Sequence, residues 1–135
     1  MPKKISIGRL ELTKPEKFKF ISDSASFLEI GEDLRLDVSH YIPEERVTMN
    51  IGLVVKAEKG ASHGDFKDNA EVPYSFFLHR IEGDLGFAYF SESGTYNINY
   101  DPDANALSGT VAFTAKRDEN TRYDFAYTFN IPSTK

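Results

Sequence analysis

Hydrophobic and polar residues alternate with a period of two along most of this 135-residue chain. The clearest case is the segment YDFAYTFNI, one face of which carries Tyr123, Phe125, Tyr127, Phe129 and Ile131. An amphipathic helix would instead need apolar residues at spacings of three and four. The alternation therefore predicts strands, which should cover most of residues 46–56, 73–90, 95–100, 107–116 and 122–131.

Turn-forming segments separate these runs, at TKPEK, IGED, YIPEE, EGD, SESG, DPDAN and RDEN. About eight to ten strands at this spacing are typical of a sandwich or a barrel. We predict one all-β domain over residues 1–135, an antiparallel β-sandwich of Greek-key or jelly-roll type. A closed up-and-down β-barrel is the alternative, because closure depends on strand tilt and stagger, which periodicity does not reveal.

A change of phase near the N-terminus predicts a β-bulge. In ISIGRLEL the apolar residues move from odd positions (Ile5, Ile7) to even positions (Leu10, Leu12). An extra residue at Gly8 explains this shift, because glycine tolerates the unusual backbone of a bulge and the bulge turns the strand face.

The segment DPDAN poses a choice between a calcium loop and a hairpin. Asp101, Asp103 and Asn105 alternate as calcium ligands do, but the glycine and glutamate expected at loop positions 6 and 12 are both alanine. Asp followed by Pro102 instead favours a type I turn, and asparagine tolerates the left-handed conformation that closes it. We therefore predict a hairpin and no metal site.

Composition excludes several classes of chemistry. The chain has no cysteine, and its net charge of −5 disfavours nucleic acid as a partner. It has no phosphate-binding glycine loop and no glycine-flanked serine elbow. We expect a non-catalytic protein without a cofactor. Since we find no signal peptide and no transmembrane segment, we expect a cytoplasmic location.

Two regions are the predicted contacts for a protein partner. The polar segment 57–73 is long for a loop, and long loops are often functional. The residues 1–20 are basic, whereas residues 21–45 are acidic, and acids at turns could steer a basic partner. The predicted contact residues are His63, Asp65, Phe66, Asp68, Glu32, Asp33, Glu44 and Glu45. A homo-oligomer is also compatible with the sequence.

The segment PYSFFLHRI supports a different function, because it is apolar on both faces. In a barrel it could line a site for an apolar small molecule, with Phe77, His79 and Tyr89 facing the ligand. A glycan-binding or membrane-active β protein is the second alternative. The absence of tryptophan weakens the glycan interpretation, since sugars usually stack on Trp or Tyr.

Overall fold

Antiparallel strands account for nearly all of the fold in the computed structural model, which describes residues 6–66, 72–83 and 86–132. In chain order these strands are β1 Gly8–Lys14, β2 Ile21–Ala25, β3 Phe27–Ile30, β4 Asp33–Ile42, β5 Val47–Lys56, β6 Gly60–Asp65, β7 Tyr74–Ile81, β8 Phe87–Asp101, β9 Ala106–Asp118 and β10 Thr121–Ile131. The all-β prediction is confirmed. Within the described residues there is no helix with the length and apolar character needed to cross a membrane.

The strands form one sheet that nearly closes into a barrel. Their order is β2-β1-β10-β9-β8-β7-β5-β4-β3, with β6 paired to β8 beside this path. Most neighbours are consecutive in the chain, and β1 pairs with β10 to join the two ends of the chain. The two ends of the order, β2 and β3, are linked through Ser26 alone. The structure therefore matches the up-and-down barrel alternative.

β8 is the strand that turns the corner between the two halves of the sheet. Its first residues pair with β7, whereas residues 95–100 pair with β6. Between Ser91 and Ser93 its register with β9 shifts by one residue. The buried positions accordingly change from odd (Tyr89, Ser91) to even (Ile98, Tyr100). The SESG segment was predicted as a turn between strands, and that prediction is wrong because the chain continues through it as a bulge.

The β-bulge predicted at Gly8 and the hairpin predicted at DPDAN are both confirmed. The register of β1 with β2 shifts between Gly8 and Leu10, as the change of phase predicts. Residues 101–105 form the hairpin between β8 and β9, and Asn105 has a φ of 54°. The Asp101 Oδ1 atom accepts hydrogen bonds from the backbone N–H groups of Asp103 and Ala104, each at 3.1 Å. That carboxylate therefore stabilises the turn.

Aromatic rings fill the interior of the barrel. A column of five rings runs through it, in the order Phe18, Phe77, Phe125, Phe113 and Phe66. Successive centroids lie 5.1, 4.9, 5.0 and 6.4 Å apart. All five residues belong to different strands or connections, so the column joins the halves of the sheet through dispersion and apolar burial.

A buried polar group accompanies this apolar core. The Ser75 hydroxyl donates to the Gly52 carbonyl at 2.7 Å and lies 2.8 Å from the Tyr127 hydroxyl. The Ser75 N–H donates to Ser91 Oγ at 3.1 Å. These bonds satisfy polar atoms that would otherwise cost free energy in the core. Burial raises the pKa of Tyr127, while the hydrogen bond between Tyr127 and Ser75 opposes that shift.

Replacing Phe125 by alanine should lower the free energy of unfolding by about 3–5 kcal/mol, because it removes one ring from the column and leaves a cavity. Thr128→Ala on the exposed face of the same strand should cost about 0.5 kcal/mol or less. Urea unfolding of both variants tests this difference. Equal losses would show that β10 is buried on both faces.

The buried tyrosines should make the fold sensitive to alkali. Burial, followed by the hydrogen bond to Glu29 and the charge of Glu29, raises the pKa of Tyr100 to about 12. Its contribution to stability is complete below the unfolded pKa of about 10 and is lost as pH rises towards 12. Between these values the free energy of unfolding should fall with rising pH by less than the limiting slope of about 1.4 kcal/mol per pH unit, because Glu29, which accepts the hydrogen bond, is exposed to solvent. Urea unfolding at pH 9, 10 and 11 should show a shallower fall for Tyr100→Phe, and an unchanged slope would contradict the assignment.

Candidate functional site

The predicted acidic contact residues do not form one surface. Glu32 and Asp33 lie at the start of β4, where Lys56 Nζ approaches their carboxylates at 3.6 and 3.7 Å. Glu44 and Glu45 lie in the turn after β4, at its other end. Ten residues separate the two pairs along an extended strand, which corresponds to roughly 30 Å. The acids therefore cannot act as a single steering patch, because the strand places them at opposite ends of the barrel.

The predicted loop 57–73 is a strand over part of its length. Residues Gly60–Asp65 form β6, which pairs with residues 95–100 of β8. His63 and Asp65 are exposed on it. Phe66 is only 5% exposed and packs against Tyr96 and Phe113, so it belongs to the core. Asp68 lies outside the described residues.

The three residues predicted to face a ligand inside a barrel lie in two different environments. Phe77 is fully buried and stacks on Phe125 at 4.9 Å, while Tyr89 is 5% exposed and packs against the same ring at 5.5 Å. These two rings pack within the interior of the barrel. His79 lies near the end of the barrel, where its ring is 5.3 Å from that of Phe18.

His79 lines a cleft of about 220 Å³ at this end of the barrel, called the end cleft below. Phe18, Val47 and Met49 provide its apolar floor. Its polar rim consists of Lys17, Lys19, Glu45 and His79. Burial lowers the pKa of His79, the carboxylate of Glu45 opposes this shift and Lys17 adds to it. The cleft thus combines an apolar floor with an excess of positive groups.

The outer surface of the barrel is strongly asymmetric. On β9, β10 and residues 95–99 of β8 the outward positions carry small polar, alanine or charged side chains, including Thr95, Asn97, Ser108, Thr110, Ala112, Lys116, Asp124 and Thr128. A shallow groove of about 380 Å³ lies there beside β6, lined among others by His63, Asn97 and Asn99. No tyrosine or tryptophan is among the lining residues, so the groove offers no such ring on which a sugar could stack.

The neighbouring wall, formed by β5, β7 and the first residues of β8, carries aromatic and aliphatic side chains. They are Val54, Tyr74, Phe76, Leu78 and Phe90, and together they form what we call the outer aromatic face. The strand register places them in neighbouring rows, since Val54 pairs with Tyr74 and Phe76 pairs with Phe90. The ring of Phe76 is 6.4 Å from that of Tyr74 and 5.6 Å from that of Phe90.

The outer aromatic face explains why PYSFFLHRI is apolar on both faces. It also shows that the strand buried on both faces is a different one. The pattern pointed to β7, but the run buried on both faces is Ile51–Val55 of β5. Phe76 lies directly over Gly52, and a Cβ atom at position 52 would come within 2.0 Å of Phe76 Cζ. Tyr74 and Phe76 therefore shield β5 from water. Phe90 remains 44% exposed at the outer end of the cluster.

Sequence reasoning missed this face as a site. The signal was present in PYSFFLHRI, whose alternate residues Tyr74, Phe76 and Leu78 are apolar, but the register that adds Phe90 and Val54 comes from non-local pairing. No protein-family model matches the chain, and neither the curated proteins nor the solved structures yield a match.

Gly52→Ala should destabilise the fold by about 1–3 kcal/mol, because the new methyl group must displace the Phe76 ring. In a Phe76→Ala background the same change should be neutral or stabilising, since alanine is otherwise preferred to glycine within a strand. A double-mutant cycle measured by urea unfolding tests this change of sign. Equal effects in the two backgrounds would show that the Phe76 ring does not cover position 52.

Proposed function

We propose that this chain is a non-catalytic protein-binding module that contacts its partner through the outer aromatic face. The observation that carries the proposal is the asymmetry of the barrel surface. The wall of β5, β7 and the start of β8 presents clustered rings with Phe90 at 44% exposure, while β9 and β10 present threonine, serine, asparagine, alanine and charged side chains. Clustered apolar groups on an otherwise polar surface mark sites of protein–protein contact.

Shielding of β5 accounts for part of this cluster but not for all of it. Phe76 covers Gly52, and Tyr74 lies beside Val54, which is only 3% exposed. Phe90 packs only on the outer side of these rings and keeps nearly half of its surface in water. Burying that remaining surface against a partner would contribute about 2 kcal/mol, which is the range of an interface hot spot.

The surroundings of the face indicate the chemistry of the partner. Arg35 and Asp37 of β4 and Arg80 of β7 are exposed on outward positions around the rings. An apolar centre with a rim of mixed charge is the usual organisation of a protein interface. The net charge of −5 additionally favours encounter with a basic protein. We therefore propose a basic protein whose contact surface has an apolar centre.

The chain offers a matched pair of variants to test this proposal. Phe90→Ser removes the exposed ring of the outer aromatic face, whereas Phe87→Ser removes a ring of similar exposure, 43%, on the same strand but at a position of opposite orientation. Proteins retained by the wild-type chain from a lysate would be identified and purified, and their affinity for each variant would be measured. Phe90→Ser should weaken binding about tenfold or more and Phe87→Ser much less.

Two outcomes would contradict the proposal. Equal binding by wild type and Phe90→Ser would place the interface elsewhere, and equal losses in both variants would indicate a general effect on the fold. Sedimentation of the purified chain distinguishes a second copy from a foreign partner, since self-association that Phe90→Ser abolishes would make the face a homo-oligomer interface.

A further inference from the structure

The end cleft lies between connections that come from distant parts of the chain. The segment before β2 supplies Lys17, Phe18 and Lys19, and the turn between β4 and β5 supplies Glu45. Strands β5 and β7 supply the inward-facing Val47, Met49 and His79. β2 lies beside β4, yet no hydrogen-bonded ladder joins them within the described ranges. The cleft is thus an opening at the end of the seam where the barrel is incompletely closed.

The floor of the cleft is apolar and its position is fixed by the core. Met49 is 1% exposed and Val47 is 6% exposed. The ring of Phe18 stacks on Phe77 at 5.1 Å, which makes it the end of the interior ring column. Both are almost fully covered, so the apolar surface open to a ligand comes from Phe18 and Ile42, which are half-buried and line the same cleft.

The rim of the cleft carries more positive than negative side chains, which favours an anionic ligand. Lys17 Nζ lies 5.1 Å from the centroid of Phe18 and 4.7 Å from that of Tyr123, so cation–π contacts hold it beside the cleft. Lys19 adds a second ammonium group, and Glu45 contributes one carboxylate. His79 is kept mainly neutral near pH 7, because burial lowers its pKa, and it can donate an N–H without adding charge.

We propose that the end cleft binds a small amphipathic carboxylate, with its anionic group at Lys17 and Lys19 and its apolar part against Phe18 and Ile42, beside Met49. A volume of about 220 Å³ is below that of a drug-sized site, so the ligand is small. An anion with an apolar chain suits the cleft better than a wholly polar anion such as phosphate, since the chain also covers the apolar floor. This site shares no residue with the outer aromatic face and is independent of the proposed function.

The methionine content provides a direct test. The chain has two methionines, Met1 and Met49, and Met49 is part of the cleft floor. In protein labelled with ¹³C at the methionine methyl groups, octanoate at millimolar concentrations should shift the Met49 resonance in a saturable way. Octanol, which has the same chain length without the charge, should bind more weakly.

Charge variants separate specific binding from general hydrophobic contact. Lys17→Gln should weaken octanoate binding about two- to fivefold at low salt, and Glu45→Gln should strengthen it by a similar factor. Neither change should alter octanol binding. Lys59→Gln is the matched control, because Lys59 follows the far end of β5 and pairs with Asp103 at 3.2 Å.

Three results of these measurements would contradict the proposal. No movement of the Met49 resonance, equal binding of octanol and octanoate, or indifference to the charges at positions 17 and 45 would each overturn the proposal. If Lys17→Gln fails to fold because its cation–π contacts are lost, Lys19→Gln takes its place, since the Lys19 side chain is exposed and should weaken octanoate binding in the same way.

Discussion

The column of five phenylalanine rings is the interaction on which the rest of this structure depends. Phe77, Phe125 and Phe113 come from three strands, and their stacked centroids lie 4.9–5.0 Å apart across the interior. Phe18 and Phe66 extend the column from the connections that precede β2 and follow β6. Rings of this size bury large apolar areas, so the column holds together a sheet whose seam lacks a complete ladder.

Because phenylalanine rings fill the interior of the barrel, a binding site has to lie elsewhere on the molecule. A barrel of this strand number could enclose a small ligand if its inward residues were small, but here they are large and closely packed. The two surfaces proposed above for binding therefore lie on the outside of the wall and at the end of the seam. The outer aromatic face and the end cleft occupy those two positions.

The outer aromatic face and the end cleft use the same strands but remain separate, because alternate residues of a strand point to opposite sides of the sheet. On β7, Phe76 and Leu78 point outward, while Phe77 and His79 point inward. On β5, Val54 is covered from outside, while Val47 and Met49 face the interior. A one-residue register slip would exchange the two sets, and such a slip is opposed by the buried bonds of Ser75 to Gly52 and Tyr127.

Local pattern was sufficient for most of the strands, although not for β6, and for two of the bends. Gly8 and the Asp101–Asn105 corner were predictable, because one glycine explains a change of phase and turn chemistry involves only neighbouring residues. The same change of phase occurs across residues 89–98, but SESG also resembles a turn, and only the pairing of β8 with β9 decides between a turn and a bulge. Phe66 was assigned to a polar loop because its ring partners, Tyr96 and Phe113, are distant in sequence.

The sites were less predictable than the strands for a related physical reason. Charge runs in a sequence give no information about separation in space, and β4 places Glu32 and Glu45 at opposite ends of the barrel. Conversely, Lys17, Glu45 and His79 meet in one cleft although more than 25 residues separate each from the next along the chain. At the end of the seam, side chains from connections that are distant in sequence come to lie side by side. In an antiparallel meander with a filled interior, the ends of the seam are therefore where charged side chains can meet buried apolar surface without entering the core.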